Sequence, residues 1–190
     1  MKFTKVANDT FRNIQSNAGI MLSDFDPTAG TFDAEDLLGA TTGGIQVNIT
    51  QNFSDYGEDI DNVPNNTKEL KRKDDEQAVV SGTYVAMTIT TAQTLVAGSD
   101  VAGIKITPRR DLKLTDFKDI WFVGDFSDIN TGTNAGFLAV HLIDCLSTGG
   151  FQLQTADKGK GNFAFEYTAH YSLDAQDTVP YEIYLKQGSE

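Results

Sequence analysis

Two runs of alternating polar and apolar residues, separated by a long charged stretch, constrain the fold of this chain most strongly. In the first run, Gly43–Phe53, apolar residues share one parity while amides and hydroxyls occupy the other. The apolar parity holds Ile45, Val47, Ile49 and Phe53, and the polar parity holds Gln46, Asn48, Thr50 and Asn52. Side chains alternate between the two faces of a strand. The pattern therefore predicts a half-buried strand with an apolar core face and an uncharged polar face.

The second run, Ala78–Thr90, predicts the returning strand of a hairpin. Its alternation again separates an apolar parity from a mixed parity of aromatic, small and hydroxyl side chains. The apolar parity holds Val79, Val85, Met87 and Ile89, and the other holds Tyr84, Ala86, Thr88 and Thr90. We expect the two runs to pair as antiparallel strands.

The stretch between the runs, Ser54–Gln77, predicts a long polar loop. Loops of this length without secondary structure are uncommon in compact domains, and they usually bind something or are disordered. The charges are arranged in blocks, with an acidic block before a basic block. The two blocks are Asp55, Glu58, Asp59 and Asp61, and then Lys68, Lys71, Arg72 and Lys73. Opposite charges in blocks favour contact with another protein surface over catalysis.

The rest of the chain predicts one mainly β domain over residues 1–190, with residues 1–13 as an N-terminal arm. Further strands are predicted at Ile14–Phe25, Ile104–Thr107, Ile120–Asp125, Phe163–Tyr171 and Tyr181–Leu185. Short strands joined by glycine-rich turns are typical of an antiparallel β-sandwich or barrel. Asn134–Ser147 has apolar residues at i, i+3 and i+4 and glycines at its end, which predicts one flanking α-helix.

Composition excludes several classes of function. Asp and Glu number 27 against 15 Lys and Arg, so the net charge is −12. DNA affinity comes mainly from Lys and Arg contacts with phosphates, so a protein this acidic repels nucleic acid overall. No apolar run reaches the length of a membrane span, and Met1–Lys5 is not followed by the apolar segment of a secretory signal. We expect folding in the cytoplasm, no membrane partner, and DNA only as a cargo that must not bind.

Residues that could support catalysis or metal binding are few. His141 and Cys145 lie four apart, which would suit a thiol–imidazole nucleophile if both lined a cleft. The favoured interpretation places both in the buried stripe of the predicted helix, where a free cysteine acts as a small hydrophobe. The acidic block lacks the D-x-D-x-D-G pattern of a calcium loop and has Asn66 at the twelfth position from Asp55. We expect no enzyme activity, no metal and no cofactor.

Several phrases together resemble the major tail tube proteins of long-tailed bacteriophages and related tailed particles. They are Ala18–Pro27, Leu38–Gly44, and the C-terminal stretch from Gly149-Gly150-Phe151 to Pro180–Tyr184. The order of elements is also similar, and the resemblance spans nearly the whole chain.

The resemblance implies a β-sandwich that assembles into hexameric rings stacked as a tube in the virion tail, a conduit for DNA ejection. Strands from all subunits would close into one inner barrel, which removes exposed sheet edges. Loop 54–77 would reach the neighbouring ring through its two charge blocks, and the polar parity of the first run would line the channel. Implied partners are other copies of the chain, the tape-measure protein, the tail terminator, and baseplate or distal tail proteins.

Two other classes of function stay open at this point. A carbohydrate- or receptor-binding β-sandwich of a surface adhesin could recruit exposed aromatics, and the candidates are Trp121, Tyr56, Tyr84 and Tyr184. Trp121 lies in an apolar strand, where packing in the core is the favoured interpretation. A thiol enzyme built on Cys145 and His141 predicts reactivity with thiol reagents and loss of function in Cys145→Ser.

Overall fold

A computed structural model describes residues 5–7, 10–126 and 135–188 of the chain. Ten strands and one short α-helix follow each other in the described part. The strands are β1 (Gln15–Leu22), β2 (Thr41–Asp55), β3 (Lys71–Tyr84), β4 (Ser99–Ala102), β5 (Lys105–Pro108), β6 (Lys118–Phe126), β7 (Phe137–Ser147), β8 (Gln152–Gln154), β9 (Asn162–Thr168) and β10 (Tyr181–Lys186). The helix α1 (Ile89–Leu95) lies between β3 and β4. Single 3-10 turns occur at Thr10–Asn13, Ala34–Asp36, Lys68–Leu70, Leu114–Asp116 and Leu173–Ala175.

Eight of the strands form an antiparallel sheet that folds into two layers. We call the layer with order β2-β3-β9-β8 the front sheet, and the layer with order β1-β6-β7-β10 the back sheet. Strand β7 links them, because its last residues, Leu146 and Ser147, pair with β9. Strands β4 and β5 form a separate hairpin. The mainly β, antiparallel sandwich predicted from the sequence is confirmed.

The core lies between the two sheets. Both sheets contribute fully buried side chains, including Met21 and Leu142 from the back sheet and Val80 and Tyr84 from the front sheet. Tyr84 stacks on Phe165 with ring centroids 4.3 Å apart. Offset stacking of this kind adds to the stabilisation from burial of apolar area.

A second apolar cluster covers the outer face of the back sheet. Phe25, in the loop after β1, contacts Trp121 and Phe137 edge to face, with ring centroids 5.6 Å and 5.2 Å away. Leu22 and Ala139 complete the cluster. The back sheet is therefore buried on both faces, unlike the front sheet.

The helix predicted at Asn134–Ser147 is wrong. Phe137–Ser147 is strand β7, while Asn134 lies outside the described residues. Burial on both faces places apolar residues at nearly every position, so helical spacings occur by coincidence. Asp144, with φ of 50°, marks a register shift that disturbs the strand alternation further.

The helix instead occupies the end of the second run. Strand β3 ends at Tyr84, and Thr88 caps α1 by accepting a hydrogen bond from the backbone N–H of Thr91 at 3.1 Å. The buried parity of β3 is also opposite to the predicted one, since Ala78 and Val80 face the core. The prediction followed the alternation of Val85, Met87 and Ile89, which lie beyond the strand.

Five other strand predictions are confirmed with small shifts at the ends, at β1, β5, β6, β9 and β10. Phe53 is an exception within β2. It shares the parity of Ile45 but is 52% exposed, because the hairpin has already left the core at that point. Of the predicted N-terminal arm, residues 1–4, 8 and 9 lie outside the described residues.

Candidate functional site

Of the long loop predicted at 54–77, residues 54–55 and 71–77 are β-structure and residues 56–70 are not. Strands β2 and β3 stay paired as far as Asp55 and Lys71, so only residues 56–70 connect them. We call residues 51–76 the arm and residues 57–63 its tip. The arm has no second layer to cover, so its sequence carries no apolar alternation, and polarity alone wrongly extended the predicted loop over the ends of both strands. An extra residue, Asp74, creates a bulge opposite Asn52 and Phe53.

A buried carboxylate anchors the base of the arm. Glu76 on β3 is only 4% exposed. Its carboxylate accepts hydrogen bonds from the Lys73 ammonium, the Tyr181 hydroxyl and, at 2.9 Å, the Gln51 amide. Its backbone N–H donates to the hydroxyl of Tyr171 at 2.8 Å. These contacts join β2, β3, β10 and the segment after β9 at one point.

The ionised form of Glu76 is favoured by this arrangement. Hydrogen bonds from Lys73, Tyr181 and Gln51 lower the pKa of Glu76 from 4.5 to about 2, against the opposing effect of burial. The same contact raises the pKa of Tyr181, because the adjacent carboxylate disfavours a phenolate. Glu76 is therefore charged at neutral pH and fixes the direction of the arm. Nothing in its sequence context singled it out.

A second carboxylate organises the connection at the end of the arm. Asp55 accepts hydrogen bonds from the backbone N–H groups of Gly57 at 3.0 Å and Asn66 at 2.7 Å. Both bonds lower the pKa of Asp55, and the bond from Asn66 has the larger effect. Asn62 and Asn66 supply the left-handed backbone conformations of the turns, with φ of 65° and 64°. The connection is thus a defined structure held by its own side chains.

Of the eight predicted contact residues, five have partners within the arm and three have no ion-pair partner among the described residues. Asp55, Lys71 and Lys73 bond within the arm, to backbone N–H groups, to Asn66 and to Glu76 respectively. Arg72 lies 3.9 Å from Asp74, and Lys68 lies 3.4 Å from Glu69. The other three, Glu58, Asp59 and Asp61, are exposed at the tip and form no ion pair with a described residue. The role of all eight between rings stays a prediction.

The exposed face of the front sheet is polar and nearly uncharged. The four predicted channel residues, Gln46, Asn48, Thr50 and Asn52, are all exposed on β2. Strand register extends this face across the neighbouring strands to Ser81, Val79, Gln77 and Asp75 of β3, Glu166 of β9, and Gln152 and Gln154 of β8. Its charges beside the sandwich are the carboxylates Asp75 and Glu166, and Arg72 follows on the same side where the arm extends, opposite Ser54. Whether the face lines a channel stays a prediction.

Both edges of the front sheet are unpaired in the described residues, since β2 pairs only with β3 and β8 only with β9. The edge at β8 exposes Leu153 (53%) and Phe151 (48%), and Leu153 lies on the side opposite Gln152 and Gln154. The edge at β2 leaves Ile45 and Ile49 half-buried on the corresponding side. The two edges therefore share one pattern, apolar on the core side and polar on the exposed side.

The structure does not bring the predicted thiol–imidazole pair together. Cys145 is 2% exposed in the core, where burial raises the pKa of its thiol. His141 lies on the outer face of the back sheet, stacked on Trp121 with ring centroids 4.0 Å apart. Its ring nitrogens approach Asp119 at 3.2 Å and Glu182 at 3.4 Å. The two side chains lie on opposite faces of β7.

The aromatic residues considered for glycan binding do not form an exposed platform. Trp121 is 6% exposed, and Tyr84 is fully buried. Tyr184 contacts Trp121 with ring centroids 5.6 Å apart and donates its hydroxyl to Glu182. Tyr56, by contrast, is 56% exposed, on the arm.

Two kinds of feature are absent from the described residues. No group of three or more His, Cys, Asp or Glu side chains there is placed to hold a metal ion. Among the same residues, no helix has the length and apolar character needed to cross a membrane.

Comparison with known proteins adds no family to this description. No model of a protein family matches the chain, and no curated protein matches its sequence significantly.

Proposed function

We propose that this chain is a self-assembling structural subunit of a tail tube, in which copies form rings that stack around a channel for DNA. The fold alone does not imply this role. Support comes from three surfaces of one molecule: the polar face of the front sheet, its two unpaired edges, and the arm. The resemblance of the sequence to tail tube proteins supplies the ring size, a hexamer.

The front sheet carries the proposal. A long unpaired edge strand such as β2, with 15 residues, is a template for pairing with another chain. Pairing of β2 with the β8 edge of the next copy would extend the sheet and bury Leu153 and Phe151 against Ile45 and Ile49. Closure of a ring would remove both edges of the front sheet and turn the polar face inwards.

The charge of that face suits a channel for DNA. Carboxylates repel phosphates, and uncharged amides and hydroxyls exert no electrostatic attraction on them. Lys and Arg would instead bind phosphates with an affinity that depends on salt. The front-sheet strands present Gln46, Asn48 and Thr50 at the centre of the face and Glu166 beside them. DNA would pass without adhering.

The arm supplies contact between rings in this proposal. It extends beyond the core, its direction is fixed by Glu76, and its tip is exposed. Individual exposed ion pairs contribute only ~0–1 kcal/mol. Charges therefore select the partner, and apolar and backbone contacts supply most of the affinity. A tape-measure protein inside the tube, terminator and baseplate proteins at its ends, and a place in the virion follow from the same proposal.

A shortened arm tests the proposal. Replacing residues 57–69 with a two-residue turn keeps the pair Asp55 and Lys71 as well as the Glu76 contacts. Electron microscopy of the intact protein should show rings and tubes, whereas the shortened variant should give folded single rings. Tubes of normal length from the shortened variant would refute the role of the arm, and a dispersed monomer from the intact protein would refute assembly.

A further inference from the structure

The tip of the arm is an acidic surface with an apolar centre. Glu58, Asp59 and Asp61 are exposed, and residues 57–63 contain no Lys or Arg. Ile60, between the carboxylates, is 49% exposed. Such a surface is complementary to a basic surface that also exposes apolar side chains.

The chain itself carries a surface of that kind. Residues 105–118, the basic segment, contain five Lys or Arg and two Asp in a protein of net charge −12. Lys105, Arg110 and Lys118 are exposed and form no ion pair with a described residue. Leu112 and Leu114 in the same segment are 53% and 91% exposed.

Internal ion pairs hold the basic segment in a fixed shape. Arg109, with only 17% of its side chain exposed, lies 2.5 Å from Asp116 and 3.0 Å from Asp100. Asp116 also accepts a hydrogen bond from the backbone N–H of Lys113 at 2.7 Å. Lys113 also lies 3.6 Å from Asp100, whereas Lys105, Arg110 and Lys118 take no part in these contacts and are available to a partner.

A cavity of about 780 Å³ opens beside the segment, lined by Arg109, Lys113, Thr115 and Lys118 among others. The buried hydroxyls of Ser99 and Ser147 also line it, and neither has a hydrogen-bond partner among the described residues. Buried polar groups normally have partners. A concave surface with unsatisfied hydroxyls next to exposed leucines has the features of a receiving surface.

The acidic tip lies beyond one end of the sandwich, whereas the cavity beside the basic segment extends to the other end. The arm extends where β2 ends and β3 begins. The cavity lies where β2 begins, because Thr91 of α1 donates a hydrogen bond to the carbonyl of Leu38 at 2.6 Å and both residues line it. At ~3.3 Å per residue, the 15 residues of β2 span about 50 Å. The tip carboxylates form no ion pair with the basic segment of their own chain among the described residues, so a contact between these two surfaces would join two copies.

We propose that the basic segment of one copy receives the arm tip of a second copy. Ile60 packs against Leu112 and Leu114 while the tip carboxylates meet Lys105, Arg110 and Lys118. A contact between two different ends is heterologous and repeats indefinitely, which produces a stack. This inference rests on the proposed function and names the surface that the arm contacts there. It replaces the basic block of a neighbouring arm as the partner of the acidic tip.

Charge reversal in pairs tests the contact. The tip variant is Glu58→Lys with Asp61→Lys, and the segment variant is Lys105→Glu with Arg110→Glu. All four residues are exposed, so both variants should fold. Each should weaken stacking about tenfold or more, and a chain with all four changes should regain it, as coupled sites do in a mutant cycle. As a matched control, Lys68→Glu with Arg72→Glu should not restore the tip variant. Rescue by that control alone would overturn the proposal.

Crosslinking separates this inference from the function on which it rests. In a Cys145→Ala background, Ile60→Cys and Leu114→Cys in one chain should give head-to-tail chains joined by disulfides under a mild oxidant. Ile60→Cys with Lys68→Cys is the control and should give none. Rings and tubes without the first crosslink would overturn the docking contact and leave the tube function standing. Crosslinked chains without rings would overturn the tube function and leave the docking contact standing.

Discussion

The hydroxyl of Tyr181 donates a hydrogen bond to the buried carboxylate of Glu76, and this contact joins the last strand of the back sheet to the base of the arm. Lys73 and Gln51 bind the same carboxylate from the two strands of the arm. One residue thus couples the core to the projecting surface. Its loss affects both stability and the orientation of the arm.

Glu76→Gln should lower the melting temperature by several degrees, because an amide cannot form the ion pair with Lys73 or accept every bond that the carboxylate accepts. Glu69→Gln, on an exposed side chain of the connection between β2 and β3, is the control and should change little. Equal melting temperatures for the two variants would contradict the anchoring role.

The same contact predicts a dependence on pH. The pKa of Glu76 is about 2 in the fold and 4.5 for a free glutamate, so the charged form stabilises the folded state. That stabilisation is complete above pH 4.5 and disappears as pH falls towards 2. Melting curves from pH 7 downwards should therefore show the difference between wild type and Glu76→Gln narrowing below about pH 4.5. A difference in melting temperature that stayed constant down to low pH would contradict the role of the Glu76 charge.

Leu153→Asp should block ring closure and leave the subunit folded. The side chain is 53% exposed in one copy, so the change should alter the free energy of unfolding by less than about 0.5 kcal/mol. In the ring, the new Asp would be buried without a partner against β2 of the neighbouring copy, which raises the free energy of the assembled state. Gln152→Asp, one residue away on the polar face, is the control and should still form rings. Sedimentation velocity distinguishes ring from monomer, and rings from Leu153→Asp would exclude this edge.

Cys145 should not react with a thiol reagent in the native protein, because it is 2% exposed and burial raises the pKa of its thiol. Labelling should follow global unfolding in urea. Cys145→Ala should cost about 1 kcal/mol of stability and leave assembly intact. Rapid labelling of the native protein would revive the thiol-enzyme hypothesis.

Asn48→Lys with Thr50→Lys should assemble normally and then retain DNA. Both positions are exposed on the polar face of the front sheet, where new cations would meet phosphates in the channel. Thr28→Lys with Ala29→Lys adds the same charge to the loop outside the back sheet and is the control. Retention of duplex DNA by tubes, measured at low and high salt, should rise for the first pair alone. If tubes of the two double-lysine variants retained equal amounts of DNA, the polar face of the front sheet would not line the channel.

Alternation predicted the strands that are buried on one side. Strand β2 was recognised because Ile45, Val47 and Ile49 meet the core while the intervening side chains do not. Strand β9 was recognised for the same reason, with Phe165 and Tyr167 buried. The polar face followed directly from the same pattern.

A strand that is buried on both faces, or on neither, shows no alternation of apolar and polar residues, so the sequence does not reveal it. Strand β7 packs on both faces and imitated a helix, with Ala139 and Val140 both buried side by side. The arm has no second sheet over either face, so the polar sequence of its strand residues 54–55 and 71–75 resembled that of a loop. Only tertiary contacts, such as Glu76 with Tyr181 across 105 residues, show that it is a projecting hairpin. The basic segment had a visible signal, five cations within residues 105–118, but which of these cations stay exposed and unpaired depends on the fold.

A cryo-electron microscopy map of the assembled protein tests the central claim most directly. The account predicts stacked hexameric rings whose inner wall is a continuous β-barrel, with β2 of one copy paired to β8 of the next and Gln46, Asn48 and Thr50 facing the channel. A dispersed monomer at high concentration, or rings with that polar face turned outwards, would contradict it.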